Sequence, residues 1–381
     1  MTKGKGKKKE KTFWYRGTYF DYPTLFLILF LFLFGLVMVM SASYYQGRVL
    51  YDDSTYYFKR QAIFGVLGLL VMYLVSHIQY QVLKNWSLII MLVTILLLGL
   101  VYVVGSASHG STRWINLGFI SFQPSEIAKL SLIIYTAHVV TAKAGRLKTV
   151  WGTIGTLIVP IIALILIGAE NLSTAIACGI IVGCIWFVVN PKLLYIVIVI
   201  LLALAVFIIL FNMASYRSTR IQVWKDPASM DEGYQTMQAL YAIGSGGWFG
   251  RGLGQSIQKM GYIPEAHNDM IFSVICEEMG IVGGIAIMIV FAMLIWRFRF
   301  IAEGAPDRFG ALLVVGSIAH IAFQVILNIS VVTNTLPNTG VTLPFVSYGG
   351  TSLLFLMVEM GIVLSVSRQI VPISMTEEVR S

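Results

Sequence analysis

The stretch PTLFLILFLFLFGLVMVM, residues 23–40, contains no charged side chain. An α-helix needs about 20 mostly apolar residues to cross the hydrocarbon core of a bilayer, and this run supplies nearly all of them. It is also longer than the roughly 7–15-residue core of a cleavable signal, so it reads as a retained first span. Ahead of it stands MTKGKGKKKEK, with Lys3, Lys5, Lys7, Lys8, Lys9 and Lys11. Basic residues collect on the cytoplasmic side of short segments, which puts the N-terminus inside.

The remainder of the 381-residue chain is of the same kind: 57% hydrophobic, 12% charged, with a mean hydropathy of +0.81. Such a composition needs the bilayer as its solvent. Ten candidate spans follow, centred near Leu33, Leu69, Ile95, Leu132, Leu164, Ile180, Leu202, Met288, Ile321 and Val358. The expected fold is all-α and polytopic: one ten-span domain over 23–372, between a basic tail (1–22) and a short C-terminal tail (373–381). With ten spans both termini are cytoplasmic, and the inside segments carry Lys84, Lys143, Arg146, Lys148, Lys192, Arg297, Arg299, Arg308, Arg368 and Arg380. The long outside segment of about 212–268, between spans 7 and 8, is also basic, and segments of that length escape the rule.

The net charge of +9 is concentrated beside a span, which suits anionic lipid headgroups and not nucleic acid. Cys178, Cys184 and Cys276 all fall inside expected spans, where they serve as small packing residues and form no disulfide framework.

Polar chemistry gathers in three outside segments. The first is GSASHGSTRWINLGFISFQPSEIAK, residues 105–129. Pro124 followed by Ser125 and Glu126 has the form of a helix first turn. Lys129 lies three residues on, about 4.5 Å further along the axis and on the same face as Glu126. The pair either fixes a helix or lines a substrate cavity. Arg113 and Trp114 are either headgroup anchors or part of the same surface.

The second segment holds Arg217, Arg220, a short amphipathic stretch from Gly233 to Ile243, the glycine-dense GSGGWFGRGLGQS, Lys259, and then PEAHNDMIFSVICEEMG (264–280). The glycines would let backbone approach a ligand or turn N–H groups to an anion, although the Lys of a nucleotide loop is missing. The third segment, PNTGVTLPFVSYGGTS (337–352), is too rich in proline and glycine for a plain span. At membrane depth such backbone lines a cavity or is covered by protein. Its Ser347 and Tyr348 precede a glycine pair that would open a helix.

RWINLG, QPSEIAK, YRSTR, AIGSGG, GLGQSIQK, PEAHND followed by IF and EEMG, and TGVTLPFVSYGGTS together resemble the SEDS family (shape, elongation, division and sporulation), the group that contains FtsW, RodA and SpoVE. Ala266-His267 within PEAHND is closer to FtsW than to RodA. One departure stands out: Glu170-Asn171-Leu172-Ser173-Thr174 replaces the family's Pro-Asp-x-Gly-Thr, so the role of that aspartate is not carried over to Asn171.

The resemblance implies a ten-span fold in the bacterial plasma membrane, with its active face outside. It also implies an activity: polymerising the lipid-linked precursor lipid II into peptidoglycan glycan strands with inversion and loss of undecaprenyl pyrophosphate. A divalent cation (Mg2+ or Mn2+), a class B penicillin-binding protein and other divisome or elongasome proteins are implied as cofactor and partners. Asp269 is the implied general base and a candidate metal ligand. Arg113, Glu126, Lys129, Arg217, Arg220, Lys259, His267, Ser347 and Tyr348 are candidates for holding substrate. Were residues 269–278 helical, Glu277 would stand about 12 Å along the axis from Asp269 and Glu278 about 180° around it, too far for a glycosidase-like carboxyl pair. Glu277 and Glu278 are then structural or partner-facing. A lipid II flippase and a non-catalytic scaffold are the competing readings; polar motifs crowded on the outside face favour the enzyme.

Overall fold

Asp21 begins the first helix by accepting a hydrogen bond from Thr24 N at 3.1 Å, with Pro23 in the first turn where its missing N–H costs nothing. The computed structural model describes residues 20–104, 106–108, 111–116, 121–145, 147, 149–189 and 216–370. Its long helices are α1 (Tyr22–Tyr51), α2 (Tyr56–His77), α3 (Val82–Val104), α4 (Pro124–Ala142), α5 (Val150–Glu170) and α6 (Leu172–Val189). After residue 216 come two short helices, α7 (Tyr216–Lys225) and α8 (Tyr234–Gly246), then α9 (Ile271–Gly304), α10 (Arg308–Val332) and α11 (Gly350–Ser367).

Eight of these, α1, α2, α3, α5, α6, α9, α10 and α11, are long and apolar enough to cross a bilayer. Residues such as Phe26, Leu33, Ile63, Val66, Leu96 and Ile289 stand exposed along them, as lipid-facing positions do. The chain is a multi-pass membrane protein. The expected count of ten differs for two reasons. The span centred near Leu202 lies outside the described residues, and α4 is not apolar enough to stand among the eight because it carries Glu126 and Lys129. α4 is nonetheless central, packed against α3, α5, α6, α10 and α11. The terminal stretches 1–19 and 371–381 also lie outside the described residues.

The fold is all-α as expected, with one small addition: β1 (Ser106–Ser108), β2 (Ser111–Asn116) and β3 (Ser121–Phe122) pair as a three-stranded antiparallel sheet in the order β1-β2-β3. Thr112, Trp114, Ile115 and Phe122 are β-branched or aromatic, the residue types that favour strands.

Polar staples tie the ends of the bundle together. On one face Arg297 pairs with Asp21 at 2.7 Å, Lys84 with Asp307 at 2.8 Å, and Gln81 with Gln369 at 2.6 Å. Asp307 also caps α10 through Gly310 N at 2.7 Å. The opposite face carries the sheet, α7, α8 and the segments 247–270 and 333–349. Successive helices alternate between the two faces, so the polar segments singled out in the sequence share one end of the molecule.

Candidate functional site

Asp269 does not sit in a helix. It closes a turn-rich segment whose last residue, Met270, caps α9, so the helical separation from Glu277 and Glu278 does not apply as expected. A buried asparagine holds it instead: Asn328 Nδ2, on α10, donates to the carbonyl of Asp269 at 2.7 Å and to that of Val341 at 2.8 Å. One side chain thus ties the second polar segment to the third. Ser347 Oγ donates to Asn268 O at 2.7 Å and Tyr348 N to His267 O at 2.9 Å, which completes the docking of PEAHND on VSYGG. Gln61 on α2 braces the other side, donating to Ser347 O and accepting from Gly349 N, both at 3.1 Å.

Asp269 is half-buried, and Gln235 Nε2 on α8 approaches its Oδ1 at 3.5 Å. Protein packed on its other sides, followed by the nearby negative charge of Glu265, pushes it up to about 6; Arg220 and Gln235 pull against that rise. His267 is buried between aromatic rings, 4.2 Å from Tyr57 and 5.4 Å from Tyr348 by centroids. Burial pulls its imidazole down to about 4, so it is neutral at pH 7 and packs as an aromatic wall.

Glu277 and Glu278 have other partners. α9 is broken at Gly280, whose φ of 71° lies in the left-handed region. A Cβ at Gly280 would run into the backbone of Trp248 and Gly250. The glycine-dense loop fills the break: Arg251 N and Gly252 N donate to the carbonyls of Glu277 and Glu278, each at 2.9 Å. Beyond the break, Ile281 N and Val282 N donate to the carbonyls of Gly247 and Trp248. The orphan groups at both broken ends are thereby satisfied. Gly246 and Gly250 of GSGGWFGRG serve this close backbone approach.

The buried Glu277 carboxylate accepts from Ser256 Oγ, from Ile257 N at 3.1 Å and from Gln258 N at 3.3 Å. Glu278 pairs with Lys259 at 2.6 Å and accepts from Ser41 Oγ at 2.6 Å, with both charged side chains sealed from solvent. The ammonium of Lys259, a candidate for holding substrate, is paired with Glu278 and also donates to Ser41 Oγ at 2.7 Å. Asn171 joins α5 to α6 and its Oδ1 accepts from Thr174 N at 3.3 Å as a cap.

A model of the FtsW/RodA/SpoVE family, described as cell cycle protein, matches residues 22–371. The chain belongs to that family. It is 39% identical over 358 residues to stage V sporulation protein E of Bacillus subtilis (strain 168), covering 91% of this chain and 97% of that one. A probable peptidoglycan glycosyltransferase FtsW of Geobacter sp. (strain M18) is 36% identical over 356 residues, with 91% and 96% covered. Among solved structures, a chain described under structural coordination of polymerization and crosslinking by a peptidoglycan synthase complex superposes with a TM-score of 0.76 at 28% identity, covering 92% of this chain and 98% of that one. The rod shape determining protein RodA of Thermus thermophilus gives 0.67 at 27% identity, with 92% and 97% covered.

Within this FtsW/RodA/SpoVE fold the candidate cations fall into two places. Arg220 on α7 donates to Asn338 O at 3.0 Å and lies near enough to oppose the rise at Asp269. Arg217 lies one turn earlier on α7 and Arg113 in β2, and their side chains are outside the described residues. Lys129 is buried, 2.9 Å from Glu126 and 3.4 Å from Gln324 Oε1. It lines a narrow, partly open cleft together with Glu126, Gln324, Thr342, Ser347 and Glu359. Ser347 belongs to both the cleft and the Asp269 loop and so joins the two places.

For a divalent cation, no group of three or more His, Cys, Asp or Glu side chains gathers among the described residues. Asp269 with Glu265 beside it is a two-carboxylate set, which fits a hard cation that keeps waters and shares substrate phosphates. Sequence reasoning assigned no role to Gln61, Gln235, Glu265, Gln324 or Asn328. Gln61, Gln324 and Asn328 were detectable as polar residues inside apolar runs, where such groups are expensive and usually functional.

Proposed function

We propose that the chain is a peptidoglycan glycosyltransferase that polymerises lipid II, with the face carrying Asp269 turned to the outside of the plasma membrane. The carrying observation is Asp269, a half-buried residue clamped through its backbone by Asn328, with its carboxyl raised to about 6. A carboxylate with that value is a stronger base than an ordinary one and is still ionised at neutral pH. Asp269 accepts the proton of the acceptor sugar's 4-hydroxyl as its oxygen attacks the anomeric carbon of the donor. The anomeric C–O bond to undecaprenyl pyrophosphate breaks on the opposite face, and configuration inverts.

Arg220 and Lys129, with Arg217 and Arg113, supply the positive charge that the pyrophosphate requires, while Glu126 keeps Lys129 extended into the cleft. Ser347 and Tyr348 shape the wall between base and cleft. Asp269 and Glu265 are the residues that would hold Mg2+ or Mn2+, and such a cation would supply further neutralisation of the pyrophosphate. The family membership and the relatives' names support this activity, and the synthase-complex neighbour supports a cross-linking class B penicillin-binding protein as partner. The test is labelled lipid II in sealed vesicles containing the purified chain, a divalent cation and its partner. Glycan strands are the expected product; lipid II crossing the bilayer without any glycan would establish transport instead.

A further inference from the structure

Three buried polar side chains in the wall of the Lys129 cleft have no part in the reaction described so far. His320 and Gln324 stand four residues apart on one face of α10, and Glu359 faces them from α11. They are 5%, 9% and 2% exposed. Their hydrogen bonds fix where the protons are. Gln324 Nε2 lies 3.0 Å from the carbonyl of Thr342, which accepts only, so the amide nitrogen points there and Oε1 points away. Oε1 lies 2.8 Å from His320 Nε2 and 3.4 Å from Lys129 Nζ. It accepts from both, and His320 therefore carries a proton on Nε2.

The other ring nitrogen, Nδ1, is 2.8 Å from Glu359 Oε2. Two acceptors would repel at that distance, so one proton lies between them. The second carboxyl oxygen, Glu359 Oε1, is buried with no hydrogen-bond partner among the described residues. A bare carboxylate there would be costly, and the shared proton relieves that cost.

We propose that His320 and Glu359 are positioning residues that hold Lys129 for the pyrophosphate of the lipid donor, acting through Gln324. Glu359 anchors the His320 ring through Nδ1, the ring's Nε2–H and the Thr342 carbonyl together hold the Gln324 amide, and the Gln324 carbonyl gives Lys129 a neutral acceptor beside Glu126. Without Glu359 the ring loses its anchor and turns. Gln324 then keeps only its bond to Thr342, and its carbonyl is no longer held against Lys129. This role for Lys129 rests on the reading given under Proposed function.

The test is a double-mutant cycle on binding of undecaprenyl pyrophosphate to the full chain, read by calorimetry alongside steady-state polymerisation. Glu359→Leu is expected to weaken binding about tenfold and to raise KM for lipid II by a similar factor with kcat retained. Glu359→Gln, whose amide N–H donates to Nδ1, should stay within about twofold of wild type. Glu359→Leu combined with Lys129→Gln should bind no more weakly than Lys129→Gln alone. Unchanged binding by Glu359→Leu, additive losses in the double variant, or equal damage by Glu359→Gln would each overturn the proposal. So would a wild-type chain that does not bind the probe. Should Glu359→Leu not fold, Gln324→Leu carries the same expectations. A wild type that binds the probe and makes no glycan would overturn the glycosyltransferase reading while leaving the cycle to test the pair.

Discussion

At the residue scale the central group is Asp269, and its setting fixes how activity and stability respond to pH. Its carboxyl sits at about 6 in the folded chain against an ordinary 3.8. Between those values the folded state binds more protons than the unfolded one, so stability falls as pH rises from about 4 to about 6 and is then flat. Asp269→Asn removes a cost on the order of 1–3 kcal/mol at neutral pH. Thermal unfolding in detergent should therefore show the inactive Asp269→Asn chain to be the more stable at pH 7.5, with the gap closing near pH 4. The acid limb of kcat/KM should lie near pH 6, since only the ionised carboxylate accepts a proton. Glu265 contributes to the rise, so Glu265→Gln should move that limb to lower pH by up to about one unit, measured as a pH–rate profile.

At the element scale the broken helix α9 and its glycine strap hold the loop that leads to the site. Gly280→Ala puts a Cβ against the backbone of Trp248 and Gly250 and strains a positive φ, so a loss of about 2–4 kcal/mol is expected, read as a lower Tm. Lys259 and Glu278 are sealed together. Lys259→Met should cost about 3–5 kcal/mol by leaving a buried carboxylate alone, and adding Glu278→Leu should recover most of it. These elements also mark the limit of legibility. PEAHND and VSYGG were visible as polar motifs because each is contiguous, and their grouping at one end followed from counting spans. The break was not visible, because it depends on backbone contacts between residues about thirty apart, and glycine density alone does not say what comes close. The Lys259 pairing escaped for the same reason, since Ser41, Lys259 and Glu278 meet only in the fold.

At the scale of the whole molecule, eight bilayer-length helices and the central α4 hold two polar regions at one end: the Asp269 loop and the Lys129 cleft, with Ser347 between them. Asn328 is the joint between the second and third segments. Asn328→Ala should lower polymerisation by about 10–100-fold with a stability loss of about 1–3 kcal/mol, because two buried carbonyls lose their donor. The most direct measurement compares wild type with Asp269→Asn, both purified with the partner, on labelled lipid II with Mn2+ or Mg2+. Wild type is predicted to release undecaprenyl pyrophosphate and build glycan strands, and Asp269→Asn to do so at least about 100-fold more slowly. Strand synthesis at wild-type rate by Asp269→Asn would contradict the assignment of the base.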